Sequence, residues 1–286
     1  MINNMENDNI IFIFPHTERC EKFIECLNSL YRYSGPCNIY ISYFLSSIKY
    51  CERLNKTVND IGHKLVGYNY SEKTESCSYN WNIGIKYSIE NNFEYIVICN
   101  DDILFSPLWL DKIISFFCRH DKIDCIHPLI IADKVLNEKD FLVEVEELLK
   151  ITKEDEYTLG IAWGAMVTKR RFWNKIGLFD ENFYPAFYED IDMSARMTMN
   201  ENIYYCTLMD SIIYHYCSST VSKITFSIND NFNKYKEKWK NFNAVDYAIK
   251  SGDRITSYLN REKYVNIKRI DNGENSSIIS VNTKRD

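Results

Sequence analysis

The sequence predicts an α/β fold in which a mixed, mostly parallel sheet is flanked by helices and followed by a C-terminal helical segment. Two observations carry this prediction. Continuous apolar runs of β-formers, at Ile10 to Phe14 and Glu94 to Cys99, are typical of strands covered on both faces. Amphipathic stretches follow the first three predicted strands. Strand followed by helix, repeated three times, indicates a sheet with helical crossovers.

The N-terminal part of the chain supplies this regular alternation. Pro15 ends the first strand, and the next stretch has apolar residues at helical spacing (Phe23, Ile24, Leu27). The predicted elements, in order, are a strand over Ile10–Phe14, a helix over Glu21–Tyr31, a strand over Asn38–Tyr43, a helix over Ser46–Lys56, a strand over Lys64–Tyr68 and a helix over Ser78–Glu90.

The second part is less regular. Its predicted elements are a strand over Glu94–Cys99, a helix over Trp109–Phe117, a strand over Asp124–Ile131, strands over Ile203–Leu208 and Ile212–His215, and a helix over Asn229–Trp239. Residues 132–156 are rich in Glu and Lys, and we expect an insertion packed over the sheet on the acceptor side. We expect one catalytic domain over 1–242, then a C-terminal helix and a flexible polar tail over 243–286.

Composition excludes several classes of protein. The chain has 286 residues, 45% hydrophobic and 26% charged, which is ordinary for a globular protein. Its net charge of -6 argues against a nucleic-acid partner bound through a general basic surface. Its 10 cysteines form no CxxC pair, which argues against a zinc module and favours a reducing compartment. The N-terminus has no basic region, and the first apolar run is too short for a signal peptide or a membrane span. We therefore expect a soluble, cytoplasmic protein.

Asn100, Asp101 and Asp102 directly follow a buried strand. In open α/β sheets, ligands bind beyond the carboxyl ends of the strands, and carboxylates at such an end are well placed to hold a metal. The alternative is an Asx turn that closes the strand. Two adjacent aspartates after a fully apolar strand favour the metal site.

A second acidic group, Glu189, Asp190 and Asp192, begins a predicted helix after an irregular segment rich in aromatic residues. Packed irregular loops often carry function. In an apolar pocket an ionised carboxylate is poorly solvated, so its pKa rises toward the range useful for a base. The alternative is that the helix macrodipole alone favours acids in a first turn.

Taken together, the sequence resembles an inverting glycosyltransferase of family 2 with the GT-A fold, which is Rossmann-like. The resemblance spans roughly Ile10 to Trp239 and is closest to rhamnosyltransferase-type members. The motifs that carry it, in order, are Pro15-His16-Thr17, Asn82-Ile83-Gly84-Ile85, Asn100-Asp101-Asp102 with Trp109-Leu110, Gly164 with Arg170 and Arg171, Ile176 to Glu181, Glu189-Asp190-Ile191-Asp192 with Arg196, and Lys238-Trp239.

The resemblance implies transfer of a hexosyl or deoxyhexosyl group from a UDP-, GDP- or dTDP-sugar to a hydroxyl acceptor, with inversion. The acceptor would be a glycan, a glycoprotein or a lipid-linked sugar. A divalent cation, Mn²⁺ or Mg²⁺, would offset the charge that gathers on the leaving diphosphate, and oxygen ligands suit both ions. The resemblance also implies glycan biosynthesis and allows a homodimer, with no nucleic acid and no transmembrane segment.

Site residues follow from the same resemblance. Asp190 would be the base, with Glu189 and Asp192 as supports, and Asp102 and His215 would bind the metal. His215 as a core histidine is the alternative. Residues expected near the nucleotide-sugar are Pro15, His16, Thr17, Arg19, Tyr43, Asn82, Asn100, Asp101, Gly164, Arg170 and Arg171. Either arginine is equally compatible with a solvated helix position.

One departure from the family pattern concerns the donor. Family members usually carry an acid after the second strand, whereas here Ser42 to Ser47 contains none. Either Tyr43 or a serine replaces it, or nucleotide selectivity differs. This keeps a second hypothesis open, a nucleotide-sugar or glycan-binding module with little turnover. A third, a nucleotidyltransferase, would normally show a loop rich in glycine and lysine after the first strand, and Pro15 to Arg19 contains neither residue.

Overall fold

The computed structural model describes residues 8–18, 20–132, 136–161, 163–217 and 228–259, and the backbone of 266–272 and 276–282. The N-terminal part alternates strands and helices, as the sequence predicts. Its elements are β1 (Ile10–His16), α1 (Phe23–Ser34), β2 (Asn38–Tyr43), α2 (Ile48–Ile61), β3 (Lys64–Tyr70), α3 (Cys77–Glu90) and β4 (Tyr95–Cys99). These four strands are parallel, in the order β3-β2-β1-β4. β1 and β2 are buried along their whole length, which explains their continuous apolar sequences.

The second part completes the sheet with strands in both directions. Its elements are β5 (Ile103–Phe105), α4 (Trp109–Arg119), β6 (Cys125–Ile131), α5 (Glu138–Ile151), β7 (Tyr157–Thr158), β8 (Ala165–Lys169), α6 (Arg170–Ile176), α7 (Glu189–Met199), β9 (Tyr205–His215), α8 (Ile228–Lys238) and α9 (Ala244–Tyr258). The sheet order is β3-β2-β1-β4-β8-β6-β9-β5, with β7 paired to β9. β8 runs antiparallel to both β4 and β6, so the sheet is mixed, as predicted.

The two short strands predicted between residues 203 and 215 are one strand, β9. Its parallel pairing with β6 changes register, because Pro128 lies opposite Leu208 and the next residue, Leu129, lies opposite Ile212. The residues between form an irregularity, and Asp210 among them explains why the sequence pattern appeared broken.

Two apolar clusters hold the fold together. The main cluster lies between the sheet and the helices on its faces. A smaller one lies under α5, where Phe141 and Val145 pack on Leu104, Ile212 and Tyr214 of β5 and β9. The charged segment expected to be an insertion therefore covers the edge of the sheet formed by these two strands.

The C-terminal helix α9 is attached to the body of the molecule. Ser251 Oγ donates to Tyr205 Oη at 3.2 Å, Arg254 donates to the Ile203 carbonyl at 2.8 Å, and Tyr258 Oη donates to Asp121 at 2.8 Å. Within the segment expected to be a flexible tail, β10 (Asn266–Asn272) and β11 (Ser276–Asn282) pair as an antiparallel hairpin.

None of the described helices has both the length and the apolar character needed to cross a bilayer. All 10 cysteines are free thiols, and most are buried. Buried thiols of this kind pack as small apolar groups.

Candidate active site

Several strand ends meet at one edge of the sheet. β1 and β4 are parallel with Ile13 opposite Ile98, so Pro15 ends near Asn100. β8 is antiparallel, and its first residue pairs with Cys99, which brings Gly164 to the same edge. The Asn100 amide N–H donates to the Gly164 carbonyl at 2.8 Å. The edge therefore collects residues from three distant segments of the chain.

The strand-end wall consists of Asn100, Asp101, Asp102 and His215. β9 ends at His215, which pairs with Ile103 of β5 and so lies beside Asp102. His215 Nε2 is 3.0 Å from Asp102 Oδ1 and 3.0 Å from the Asn100 side-chain amide. Burial lowers the pKa of His215, but hydrogen bonds with Asp102 and Cys217 outweigh it and raise the pKa to about 10. Asp102 therefore favours the protonated imidazole, and a cation bound by the same two atoms would displace that proton.

Gly164 packs beside this wall. A Cβ at this position would lie 2.9 Å from Ile130 Cδ1, the end of a flexible side chain, and 3.4 Å from His215 Nδ1, which is ordinary contact. Gly164 therefore lies next to the imidazole, but its lack of a side chain is not what fixes His215.

The loop wall, residues 185–190, faces the strand-end wall. Glu189 is buried, and burial together with the Asp190 charge raises its pKa well above the ordinary value. Asp190 is partly exposed, and desolvation raises its pKa although the Ile191 amide donates to Oδ1 at 2.7 Å. A carboxylate with a raised pKa accepts a proton more readily than an ordinary aspartate.

The backbone of the loop wall is strained and held from outside. Phe187 and Tyr188 have φ of 72° and 74°, a region that non-glycine residues rarely adopt. The buried Asn231 of α8 donates to the carbonyls of Ala186 at 2.9 Å and Phe187 at 3.2 Å. The Cys77 amide donates to the Pro185 carbonyl at 2.9 Å. These contacts fix the loop in the conformation that presents Asp190.

Asp192 lies only two residues further along but has a different environment. It is fully buried, and it forms ion pairs with Arg196 Nε at 3.0 Å and Lys238 Nζ at 2.7 Å. Trp239 Nε1 donates to it at 2.9 Å. Asp192 therefore anchors α8 against α7, which is a positioning role.

The two walls enclose one cavity of about 210 Å³. Asp102 and Asp190, which are far apart in sequence, both line it. The complete lining is Pro15, Phe44, Glu75, Cys77, Trp81, Ile98, Asn100, Asp101, Asp102, Trp163, Gly164, Ala165, Met166, Pro185, Ala186, Phe187, Glu189, Asp190 and His215. No described residue of the segment 132–156 is among them, although that segment was expected on the acceptor side.

The structure corrects the expected phosphate contacts of Arg170 and Arg171. Because β8 is antiparallel to β4, its last residue pairs with Tyr95, at the edge of the sheet opposite the cavity. Arg170 donates to Asn92 at 2.8 Å, and Arg171 pairs with Asp124 at 2.7 Å. Both arginines therefore lie away from the candidate site.

Two further expected nucleotide contacts have structural roles instead. The Asn82 side chain bonds the backbone of Phe179, donating to its carbonyl at 3.0 Å and accepting from its amide at 2.9 Å. Tyr43 is fully buried, and its hydroxyl donates to Asn55 at 2.7 Å. Neither residue lines the cavity.

The loop after β1 lies partly at the site. Pro15 lines the cavity. His16 is fully buried behind it and bonds Asp101 at 2.8 Å through Nδ1 and Tyr50 at 2.8 Å through Nε2. His16 thus positions Asp101. Thr17 is also buried, and Arg19 lies outside the described residues.

The donor set of the strand-end wall fits a hard divalent cation. Asp102 and His215 supply a carboxylate oxygen and an imidazole nitrogen 3.0 Å apart. Mg²⁺ is commonly bound by one or two carboxylates together with substrate phosphates, so two protein donors are sufficient. His16, Cys20 and Asp101 also have ligand atoms within 4.8 Å of one another. Neither His16 nor Cys20 lines the cavity, and His16 is fully buried behind it with Asp101 and Tyr50 as partners, so we assign this second group to the protein's own network.

Sequence reasoning missed most of the apolar lining. Trp81 lies in the predicted helix Ser78–Glu90 without a predicted site role, and the sequence motifs include none of Phe44, Glu75 and Cys77. The available signal was topological, because Cys77 begins the helix that follows β3 and so lies at the carboxyl edge of the sheet.

Comparison with known proteins identifies the fold. The sequence matches no protein-family model and no curated protein. The structure of S. aureus TarS 1-349 in complex with UDP-GlcNAc is similar, with a TM-score of 0.59 at 14% identity over 88% of this chain and 72% of that chain. GalNAc-T7 with UDP, GalNAc and Mn²⁺ has a TM-score of 0.56 at 13% identity. This chain has the GT-A fold.

The GT-A likeness covers 87% of this chain but only 57% of the GalNAc-T7 chain. A second TarS 1-349 structure gives a TM-score of 0.57 over 88% of this chain and 71% of that chain. At such identities the likeness establishes the fold, and the GT-A fold predicted from the sequence is confirmed. The chemistry has to be argued from the cavity.

Proposed function

We propose that this protein is a metal-dependent inverting glycosyltransferase that moves a sugar from a nucleotide-sugar donor to a hydroxyl acceptor. One observation carries the proposal. A single cavity has a polar strand-end wall with Asp102 and His215 on one side, and a carboxylate with a raised pKa, Asp190, on the other. A metal-dependent inverting transfer needs a base on one side of the sugar carbon and, on the other side, a cation site for the leaving diphosphate.

Asp190 is the base in this mechanism. Its free carboxylate oxygen accepts the proton of the acceptor hydroxyl as that oxygen attacks the anomeric carbon. The new C–O bond forms while the bond from the anomeric carbon to the phosphate oxygen breaks, and the electron pair leaves with the diphosphate. Attack from the face opposite the leaving group inverts the configuration. Glu189, buried beside Asp190 in the first turn of α7, is its support.

The strand-end wall receives the diphosphate. When bound, a divalent cation would supply positive charge to the leaving diphosphate, with Asp102 and His215 as its protein ligands. Asp101, held by His16, and Asn100, held by Gly164, border the same edge and are the candidates for the ribose. Pro15 supplies an apolar surface beside them.

The finer assignment follows the motifs. The Glu189-Asp190-Ile191-Asp192 series resembles family 2 and its rhamnosyltransferase-type members, which favours a hexosyl or deoxyhexosyl donor. The similar TarS structure holds UDP-GlcNAc, and the similar GalNAc-T7 structure holds UDP and Mn²⁺. UDP-sugars are therefore the first donors to test, followed by GDP- and dTDP-sugars. Glycan biosynthesis in the cytoplasm and a homodimer complete the proposal.

Donor hydrolysis tests the proposal. The parent protein, with MnCl₂ and a panel of UDP-, GDP- and dTDP-sugars, is expected to release nucleoside diphosphate from at least one donor. Asp190→Asn keeps the shape of the side chain but cannot accept the proton. We expect the rate of donor hydrolysis to fall by roughly 10³-fold while the donor dissociation constant changes little.

Other outcomes would change the proposal. An Asp190→Asn protein that turns over as fast as the parent contradicts the base assignment. A parent that binds a nucleotide-sugar but never releases diphosphate is a binding module. Release of pyrophosphate from a nucleoside triphosphate in the presence of a sugar phosphate would identify a nucleotidyltransferase.

A further inference from the structure

Two hydrogen-bonding atoms of the cavity have no partner within the described part of the chain. Trp81 Nε1 and Glu189 Oε2 are both buried, and neither makes a hydrogen bond among the described residues. Both residues line the cavity between the two walls. Buried polar atoms are nearly always paired, so an unpaired atom in a binding cavity points to a group that the ligand supplies.

Trp81 is unusual among the tryptophans of this chain. The sequence has five, all within the described residues. Four donate their indole N–H to a protein oxygen at 2.9 Å, namely Trp109 to Ser34, Trp163 to Ser194, Trp173 to Thr168 and Trp239 to Asp192. Trp81 is only 6% exposed, so water does not replace the missing partner freely. Of the five indole N–H groups, only that of Trp81 has no acceptor among the described residues.

The two unpaired atoms are chemically complementary to an alcohol. The indole N–H can only donate a hydrogen bond. A carboxyl oxygen can accept one, and a hydroxyl group both donates and accepts. A sugar ring with free hydroxyls therefore matches both atoms, whereas an apolar ligand would leave both unsatisfied at a cost in affinity.

The position of α3 favours the donor sugar over the acceptor. Cys77 lies one helical turn before Trp81, and both residues line the cavity together with Asp101 of the strand-end wall and Asp190 of the loop wall. The Cys77 amide also donates to the Pro185 carbonyl of the loop wall at 2.9 Å. In the proposed reaction the donor sugar lies between the diphosphate and the base, so it occupies the part of the cavity that these residues line.

We infer that Trp81 Nε1 and Glu189 Oε2 bind hydroxyl groups of the donor sugar, and that Trp81 is a specificity-determining residue. The donor sugar then carries a free hydroxyl on the side that faces α3 and α7. This inference rests on the proposed function, since it needs a sugar nucleotide in the cavity. It adds the part of the donor that the protein recognises.

The test compares a sugar nucleotide with its own nucleoside diphosphate. UDP-GlcNAc, UDP-GalNAc, UDP-glucose, UDP-galactose, GDP-mannose and dTDP-rhamnose are titrated into the parent with MnCl₂ by calorimetry. The tightest of them and the matching diphosphate are then titrated into Trp81→Phe, which removes the N–H and keeps an aromatic ring. We expect affinity for the sugar nucleotide to fall roughly fivefold and affinity for the diphosphate to stay the same.

Trp173→Phe is the matched control. Trp173 is also buried and packs on the same Phe179 ring, with centroids 5.8 Å apart against 5.0 Å for Trp81, but it lies outside the cavity and its N–H is used. In this control, the ratio of the affinity for the sugar nucleotide to the affinity for the diphosphate should not change. Glu189→Met, which keeps the length of the side chain without oxygens, should lower the ratio as Trp81→Phe does. A deoxy analogue that lacks the recognised hydroxyl should bind the parent more weakly than the full sugar nucleotide does. The variant that lacks the partner of that hydroxyl should bind both compounds equally well.

Each remaining result overturns the inference. An unchanged ratio in Trp81→Phe shows that its N–H does not contact the sugar. An equal loss for diphosphate and sugar nucleotide moves the contact to the nucleotide. A loss confined to the acceptor Michaelis constant moves it to the acceptor. If no nucleotide binds the parent, the proposed function fails and the inference with it, whereas an unchanged ratio leaves the proposed function standing.

Discussion

The two walls of the cavity differ in how their buried ionisable groups are accommodated. In the strand-end wall the polar groups pair with one another, as His215 with Asp102 and His16 with Asp101. In the loop wall Glu189 and Asp190 are adjacent carboxyl groups whose ionisation is disfavoured by burial. The first wall is satisfied without a ligand, and the second retains an unsatisfied atom. The paired side chains of the strand-end wall keep fixed positions, which suits the binding of a charged group. A carboxylate of the loop wall with a raised pKa is suited to taking up a proton.

The loop wall depends on a support that the strand-end wall does not need. Regular strand pairing positions Asn100 and His215. The strained residues Phe187 and Tyr188 are instead held by α8 and by the contacts of Asp192. We therefore expect the loop wall to be the more sensitive to changes outside the cavity.

The largest effect on stability is expected for Asp192→Asn. The substitution leaves Arg196 and Lys238 without the buried carboxylate between them. The free energy of unfolding, measured with urea, should fall by about 2 to 3 kcal/mol. Asp180→Asn is the control, since Asp180 also pairs with Lys238, at 2.6 Å, but is more exposed. Its loss should stay under about 1 kcal/mol, and equal losses would contradict the anchoring role of Asp192.

A smaller effect is expected from Glu189→Gln, and it depends on pH. The pKa of Glu189 is raised in the folded protein above the ordinary value of 4.5, first by burial and then by Asp190. The folded state therefore holds this proton more tightly than the unfolded state, so Glu189 lowers stability as pH rises above 4.5 toward the raised pKa. Glutamine removes that loss. Thermal midpoints measured from about pH 5 to 8 should show the variant gaining on the parent. A constant difference would mean that Glu189 is not desolvated.

The smallest effect on ligand binding is expected for Arg171→Gln. Arg171 pairs with Asp124 at the edge of the sheet opposite the cavity, and Lys175 remains to balance that carboxylate. The donor dissociation constant should stay within about twofold of the parent value, with a stability loss of roughly 1 kcal/mol or less. A tenfold loss of donor affinity would show that Arg171 contacts the donor phosphates.

The fold was largely predictable because its signals are local. Apolar runs for β1 and β4 and helical periodicity for α1 to α3 are written in contiguous residues. The direction of β8 is not. The sequence of Ala165–Lys169 led to no strand prediction and carries no mark of strand direction, so the resemblance alone placed Arg170 and Arg171 near the phosphates, and the antiparallel pairing of β8 puts them at the opposite edge of the sheet. Motifs in the sequence singled out Asp102 and Asp190, and the structure brings both to the lining of one cavity, while their roles stay predictions.

Other site residues depend on contacts between distant segments. The side-chain amide of Asn82 could bind a ligand or a backbone segment. Only the three-dimensional structure shows that it bonds the backbone of Phe179. Trp81 shows the reverse case. Its place on an apolar helix face predicts packing, which is correct, but the absence of an acceptor for its N–H appears only in three dimensions.

The contacts of α8 have a consequence for any attempt to alter the proposed activity. Lys238 joins Asp180 and Asp192, and Asn231 bonds the backbone beside Asp190, yet none of these side chains lines the cavity. A mutant library restricted to cavity-lining positions would leave out the helix that holds the loop wall. Varying residues 231 to 239 instead should alter turnover while donor preference stays the same.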